Sequence, residues 1–109
     1  MSTPAVPALS EADLHERFRR FAEAWKKESR HLSNTAQMAM LPSYQRIIGL
    51  GLPAVSLILQ ELQAEPNQWF WALESITDEN PVRPENRGKV RLMAQDWVEW
   101  GKQHGHLTS

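Results

Sequence analysis

Apolar residues recur at intervals of three and four along most of the chain, and this spacing restricts the available folds more than any other feature. In the segment 11–30, Leu14, Phe18, Phe21 and Trp25 form one apolar stripe on a helix. No alternating run of apolar and polar residues is bounded by the turn residues that mark a hairpin. The spacing therefore predicts an all-α fold, a small right-handed bundle of about five helices.

The length of 109 residues is typical of one domain, and no contrast in composition marks a second folding unit. Pro4 and Pro7 lie among small residues in the segment 1–9, which predicts a flexible leader. We expect a single helical domain over 10–105 and a frayed tail over 106–109.

The start of the first helix is the clearest local signal in the chain. Ser10 is a good N-cap, and the acidic residues Glu11 and Asp13 that follow it stabilise the positive end of the helix dipole. The first helix is therefore predicted over 11–30. The next segment, 32–40, is ambiguous, because its serine, asparagine and threonine favour a turn while its second half favours a short helix.

Proline and glycine mark the boundaries of the middle helices. Pro42 opens a second helix, which Gly51 is expected to end through a left-handed cap. Pro53 restarts a helix directly afterwards, and its apolar residues are dense enough to predict near-complete burial. These apolar residues are Leu52, Val55, Leu57, Ile58, Leu59 and Leu62.

The last two predicted helices flank a polar loop. Asn67 is the expected cap of a helix whose first residues are aromatic. The loop over 78–86 contains two prolines, and its composition excludes regular structure. The last helix is predicted to begin between 86 and 89 and to end at Gly101 or Gly105.

Part of the chain resembles a known repeat family. The segment 44–59, Tyr-Gln-Arg-Ile-Ile-Gly-Leu-Gly-Leu-Pro-Ala-Val-Ser-Leu-Ile-Leu, resembles the paired-helix unit of HEAT-like repeats, in which a glycine turn precedes a leucine-rich helix. The segment 72–77, together with Trp-Val-Glu-Trp at 97–100, resembles the terminal unit of bacterial HEAT-repeat proteins. The region 44–105 also resembles a group of small bacterial all-α proteins that share Trp-Phe-Trp-Ala-Leu, found here at 69–73.

The resemblance implies paired helices but no assigned chemistry. Asp78 stands where such terminal units often have glycine, so the turn after Thr77 departs from the family pattern. Two helical pairs are fewer than the three or more repeats that a solenoid normally needs. The first helix, 11–30, is therefore expected to cap the exposed end.

Composition narrows the environment and the partners. The chain has no cysteine, which excludes disulfides and thiolate metal sites and leads us to expect a reducing, cytoplasmic setting. Its first residues lack the positive start and long apolar run of a secretory signal. The longest apolar candidate, 47–62, is interrupted and shorter than the roughly 20 residues that span a membrane. A net charge of -1 gives no global attraction for nucleic acid or anionic lipid.

The chain has five tryptophans against three phenylalanines and one tyrosine, although tryptophan is usually the rarest of the three. The indoles either close the core or include an anchor for a protein partner, and stacking on a ligand or nucleobase is a third interpretation. Trp69 and Trp71 lie about 200° apart around a helix, so both cannot face one core. The candidate partner-binding residues are Tyr44, Trp69, Phe70, Trp71, Arg83 and Arg87.

The first helix carries six basic residues and could offer a strip for phosphates. Arg17, Arg20 and Lys27 are the candidates for contacts with nucleic acid. Glu16–Arg20 and Glu23–Lys27 stand at i,i+4, however, and such pairs favour a solvated helix surface.

Residues that could carry metal or acid–base chemistry are few. His104 and His106 could bind a metal, but a closed site needs further ligands, so a polar chain end is the preferred interpretation. Asp78 and Glu79 form a carboxylate pair near Arg83 and Arg87 in a polar loop, where solvated acids are expected. The sequence therefore predicts no catalytic residue, no cofactor and no metal site.

Together these patterns predict a small non-catalytic interaction module, antitoxin-like or adaptor in type. An aromatic and charged helical surface would meet a protein partner, and no membrane contact is expected. Two alternatives stay open: an accessory protein that binds nucleic acid through the first helix, and an enzyme that acts only after assembly with another protein. The oligomeric state is left open.

Overall fold

The computed structural model describes residues 10–108, so the predicted leader over 1–9 and the final residue of the predicted tail lie outside the described residues. The described chain contains six α-helices, two short 3-10 turns and no β-strand, which confirms a small all-α bundle. The sixth helix comes from the segment that was ambiguous in sequence. The helices are α1 (Glu11–Ser29), α2 (Thr35–Met40), α3 (Pro42–Leu50), α4 (Val55–Ala64), α5 (Phe70–Thr77) and α6 (Val90–Gln103).

Helix α1 begins and packs as its sequence predicts. The Ser10 hydroxyl accepts a hydrogen bond from the Asp13 N–H at 3.1 Å, which satisfies one of the free donors of the first turn. The helix ends at Ser29, one residue before the predicted end. Its buried face consists of Phe18, Ala22, Trp25 and Ser29, with Leu14 and Phe21 partly buried beside it.

Helix α2 forms because Asn34 acts as its cap. The Asn34 Oδ1 accepts a hydrogen bond from the Gln37 N–H at 3.1 Å. The Trp25 indole N–H of α1 donates to the Met38 carbonyl at 2.9 Å. The segment 32–40 therefore contains an irregular stretch followed by a short helix. The hydrogen bond from the buried Trp25 indole connects α2 to α1.

Gly51 ends α3 at the predicted position, but not through the predicted left-handed cap, because its φ of 75° is combined with a ψ of -158°. The positive φ favours glycine, and the Gly51 N–H bonds to the Ile48 carbonyl at 3.0 Å. The chain changes direction by 104° between α3 and the segment Leu52–Ala64. The two helices therefore meet near a right angle rather than as an antiparallel hairpin, and the HEAT-like pairing stays a prediction.

The expected burial of Leu52 was wrong, because 61% of its surface is exposed. Pro53 does not start the α-helix directly but lies in a 3-10 turn, Leu52–Ala54, that directs Leu52 outward. Regular α-helix begins at Val55, and the remaining apolar residues of α4 are buried. These are Val55, Leu57, Ile58, Leu59 and Leu62.

Among residues 10–108, no single helix is long and apolar enough to cross a membrane. Only the bent pair formed by α3 and Leu52–Ala64 reaches that length and composition. Many of the apolar side chains of this pair belong to the protein core.

The two ends of α5 differ from the sequence prediction in instructive ways. Asn67 is not the cap, because its Oδ1 accepts from the adjacent Gln68 N–H at 2.8 Å and α5 begins only at Phe70, without a side-chain cap. At the other end, Asp78 adopts a left-handed φ of 56°. It is the one non-glycine residue of the described chain with a positive φ. The aspartate thus takes a conformation that glycine adopts more readily.

The polar loop before α6 is more ordered than its composition predicts. It contains a 3-10 turn, Pro84–Asn86, in which Asn86 is buried. Helix α6 then begins at Val90, directly after the predicted interval, and Gly105 follows it with a φ of 77°. Gly101 lies inside α6 at a tight contact, where a Cβ would collide with the Leu59 side chain.

The helices pack as two groups. In one group α3 lies between α1 and α5, and in the other α4 lies against α6. The turn Leu52–Ala54 contacts α1, α3 and α4, while α5 contacts α4, so the groups share one core. Each group contains an aromatic cluster, and the two clusters differ in their access to solvent.

Candidate interaction surfaces

Four aromatic rings from α1, α3 and the start of α5 pack against one another in the core. We call Phe18, Trp25, Tyr44 and Trp69 the inner cluster. The Trp69 ring centre lies 4.4 Å from that of Trp25, 5.9 Å from Tyr44 and 6.0 Å from Phe18. Trp25, Tyr44 and Trp69 are fully buried. The prediction that Tyr44 and Trp69 are partner-binding residues is therefore wrong, because both fill the core.

Tyr44 has a structural task that explains its burial. Its hydroxyl donates to the Gln68 carbonyl at 2.9 Å and accepts from the Ala72 N–H at 2.9 Å. Burial raises the pKa of Tyr44 far above its usual range, against the lowering effect of the Ala72 N–H, and the charge of Glu74 raises it further. The neutral phenol thus ties α3 to the first turn of α5.

Phe70 and Trp71 separate as the helix geometry requires. Phe70 is buried, so its predicted role as a partner-binding residue is also wrong. Trp71 points away from the core and has 44% of its surface exposed. It lines a shallow pocket with Glu74 and Ser75, one turn further along α5. The expectation that Trp69 and Trp71 cannot share a core is confirmed, and Trp71 is the exposed member.

Arg83 is exposed and held in place by α6. Its backbone N–H and its Nε donate to the Asp96 carboxylate at 3.0 and 3.2 Å, and the Asn86 side-chain amide donates to it at 2.8 Å. Only 9% of the Asp96 side chain is exposed, against 65% for Arg83. Burial raises the Asp96 pKa, but the hydrogen bonds from Asn86 and Arg83 and the Arg83 charge lower it more, so the pKa lies below its ordinary range.

A groove of about 490 Å³ runs between this loop and α6. Its lining combines one cation, two carboxylates, amides and an indole, so it can hold a polar segment beside an aromatic surface. The lining residues are Pro81, Arg83, Gln95, Asp96, Glu99, Trp100 and Gln103.

Trp100 of α6 is only partly buried and lines this groove. Its ring stacks on His104 at 4.6 Å and on His106 at 5.2 Å, and it meets buried Trp97 edge-on at 5.3 Å. We call Trp97, Trp100, His104 and His106 the outer cluster. In sequence, the position of Trp100 about 60° from Trp97 on a helical wheel was the signal that it lies at the edge of the buried face.

The two histidines near the chain end stack on the Trp100 ring. Within the described chain, no group of three or more histidine, aspartate or glutamate side chains is arranged to hold a metal ion. The His106 N–H bonds to the Gly101 carbonyl at 2.8 Å, and Leu107 packs against the core. These contacts differ from the frayed tail that the sequence predicts.

The predicted interaction residues are not brought together into one surface. Trp71 lies on α5, Arg83 lines the groove, and exposed Arg87 is outside the groove lining. The carboxylate pair of Asp78 and Glu79 forms no ion pair with Arg83, whose partner is Asp96.

The predicted ion pairs of α1 are replaced by others. Arg19, rather than Arg20 or Lys27, engages Glu16 at 2.9 Å and Glu23 at 3.1 Å. Hydrogen bonds to Glu16 and Glu23, together with the charges of these residues, raise the pKa of Arg19. Arg19 thus forms ion pairs with both glutamates. The i,i+4 spacing predicts Arg20 and Lys27 as their partners.

Comparison of the chain with protein-family models, curated proteins and solved structures found no match.

Proposed function

We propose that the protein is a small bacterial, cytoplasmic interaction module, non-catalytic and of antitoxin-like or adaptor type. It binds a protein partner, and Trp71 is its main anchor. The single observation that carries this proposal is the 44% exposure of Trp71 in a chain that fully buries Trp25, Trp69 and Trp97.

Exposing an indole has a physical cost that a partner can remove. A tryptophan presents up to about 250 Å² of largely apolar surface, and burying such surface contributes roughly 25 cal/mol per Å². Tryptophan is accordingly enriched among the few residues that dominate protein interfaces. The surface of Trp71 that remains in water can thus supply binding energy.

The surroundings of Trp71 suggest the chemistry of the partner. Glu74 and Ser75 line the same shallow pocket, and both are exposed. A partner segment with an apolar side chain over the indole and a basic residue beside Glu74 would complement this surface. The exposed guanidinium of Arg83, oriented by Asp96, offers a separate contact for an acidic group.

Replacement of Trp71 by alanine tests the proposal, and Leu52→Ala is its matched control. Both residues are large, apolar and exposed, at 44% and 61%, but they lie on different elements. Proteins bound by the tagged wild-type chain in its native cells are identified by quantitative mass spectrometry, and the affinity of the recovered partner is measured by calorimetry. Trp71→Ala should weaken that affinity by at least tenfold, as expected for a hot spot, while Leu52→Ala leaves it unchanged.

Several outcomes would count against this function. A partner whose affinity is equal for wild type and Trp71→Ala would remove Trp71 from the interface. A wild-type chain that stays monomeric and recovers no specific protein would remove the interaction module itself. Substrate turnover by the recovered complex would instead favour an enzyme that is complete only after assembly.

A further inference from the structure

Two arginines from different helices converge on one aromatic ring. The guanidinium carbon of Arg20, on α1, lies 6.0 Å from the centre of the Phe21 ring. That of Arg46, on α3, lies at the same distance, so the two carbons are no more than twice that distance apart. Arg17 lies one helical turn before Phe21, on the same side of α1. Together Arg17, Arg20 and Arg46 form what we call the arginine cluster.

The arginine cluster has no carboxylate within ion-pair distance in the described chain. None of its three arginines forms an ion pair there, whereas Arg19 and Lys26 of the same helix do. Glu16 and Glu23 are held by Arg19, and Glu61 of α4 is held by Lys26. Three glutamates that could repel a phosphate from this surface therefore already have ion-pair partners. Arg17, Arg20 and Arg46 are all exposed.

We propose that the arginine cluster binds the phosphodiester backbone of nucleic acid, without preference for base sequence. A guanidinium offers a planar set of donors that fits phosphate oxygens in pairs, which an ammonium does not. The Phe21 ring favours guanidinium groups above it and restricts their positions before binding. A surface of this kind contacts phosphates and leaves base edges unread.

Other anionic partners fit the arginine cluster less well. Firm attachment to a membrane usually combines basic residues with an apolar group that enters the bilayer. Phe21 cannot serve as that group, because it is partly buried in the bundle and both arginines lie near its ring. An acidic peptide would need carboxylates spaced to reach two helices, whereas a nucleic-acid backbone presents a phosphate at every nucleotide.

The proposal is tested with a fluorescein-labelled oligonucleotide, single-stranded or duplex, by fluorescence anisotropy over a range of salt concentrations. Wild type should bind at low salt, with an affinity that falls steeply as salt increases and is similar for unrelated base sequences. The double variant Arg20→Ala with Arg46→Ala should bind the oligonucleotide about tenfold or more weakly than wild type at low salt. On single strands, the slope of log affinity against log salt should flatten by about 1.4, the value for two lost phosphate contacts.

The matched control is Lys89→Ala with Lys102→Ala, which removes the same charge from exposed positions at the start and end of α6. This control should keep most of the wild-type affinity and slope. An equal loss in both double variants would overturn the proposal, because it would show that net charge rather than the arginine cluster attracts the ligand. If the arginine double variant loses its helical circular dichroism, Arg46→Ala is compared with Lys102→Ala, and half the change in slope is expected.

Two further binding measurements test whether the arginine cluster binds a membrane or an acidic protein instead. Vesicles of phosphatidylserine and phosphatidylcholine, and a glutamate-rich peptide, replace the oligonucleotide in the same assay. Binding to either of these in the absence of oligonucleotide binding would overturn the proposal in favour of a membrane or an acidic protein. Trp71→Ala should leave oligonucleotide binding unchanged, so failure here and failure of the protein-interaction function are distinguishable.

Discussion

The inner and outer clusters each contain two tryptophans, but the two clusters differ in their exposure to solvent. In the inner cluster, Trp25, Tyr44 and Trp69 are fully buried and surrounded by three helices. In the outer cluster, Trp97 is fully buried, Trp100 is partly buried, and His104 is exposed. The inner cluster closes the core, whereas the outer one extends from the core to the wall of a groove.

Each cluster also lies at or beside a polar side chain whose hydrogen bonds connect two segments of the chain, and we call each such side chain a polar tie. The Tyr44 phenol joins α3 to α5 beside the inner cluster, and the Asp96 carboxylate joins the loop to α6 beside the outer one. One tie acts as a neutral group and the other as an anion. Tryptophan content alone therefore does not assign a role, because the number of elements that surround each ring decides whether it stabilises the fold or forms a surface.

The largest expected difference between the clusters is in stability. Trp69→Ala should lower the free energy of unfolding by about 4 kcal/mol, because it opens a large cavity among buried rings. The Trp69 N–H has no hydrogen-bond partner within the described chain, so its removal offsets a small part of that loss. Trp100→Ala should cost about 1 to 2 kcal/mol, since its ring is partly in solvent. Urea denaturation followed by circular dichroism compares them, and equal losses would contradict the contrast.

The next effect concerns the Tyr44 tie. Tyr44→Phe should lower the free energy of unfolding by about 2 kcal/mol at neutral pH, since the Ala72 N–H and the Gln68 carbonyl lose their partner. The folded-state pKa is raised above the ordinary value of about 10, so this stabilisation is present below pH 10 and is lost as pH rises further. Denaturation curves measured across the alkaline range should therefore decline more for wild type than for Tyr44→Phe. Parallel curves would contradict the role of the phenol.

The smallest effect concerns the Asp96 tie, and it has the opposite dependence on pH. Asp96→Asn should cost about 1 to 2 kcal/mol at neutral pH, because an amide keeps the shape but loses one acceptor oxygen and the charge. The folded-state pKa is lowered, so the contribution is present above the ordinary value of about 4 and is lost as pH falls through the folded-state pKa. Acid denaturation should thus separate wild type from Asp96→Asn at pH 5, and the difference in stability should shrink as the pH falls below the ordinary value for an aspartate. A constant difference would exclude the charge as the source.

Local features of the fold could be predicted from the sequence because their causes lie within a few residues. The Ser10 cap, the stripe on α1 and the end of α3 at Gly51 all depend on neighbours one or two turns away. The ambiguous segment was harder, because Asn34 supports both a turn and a cap. Asp78 shows that a residue other than glycine can take a left-handed turn when its place in the fold requires it.

The candidate surfaces could be predicted only in part, because they depend on contacts between distant segments. Helix geometry established that Trp69 and Trp71 face apart, but not which of them is buried. Arg46 reaches Phe21 only through the packing of α3 on α1, and Asp96 reaches Arg83 only after the loop folds back on α6. Neither contact leaves a periodic signal in the sequence.

The unequal shielding of the five indoles divides the intrinsic emission of this chain into two populations. A small aqueous quencher can collide with Trp71 and Trp100, while Trp25, Trp69 and Trp97 are shielded from it. The fluorescence of Trp71 reports on the surface of α5, and that of Trp100 reports on the groove between the loop and α6. With Trp71→Phe or Trp100→Phe, either place can be monitored without an attached dye.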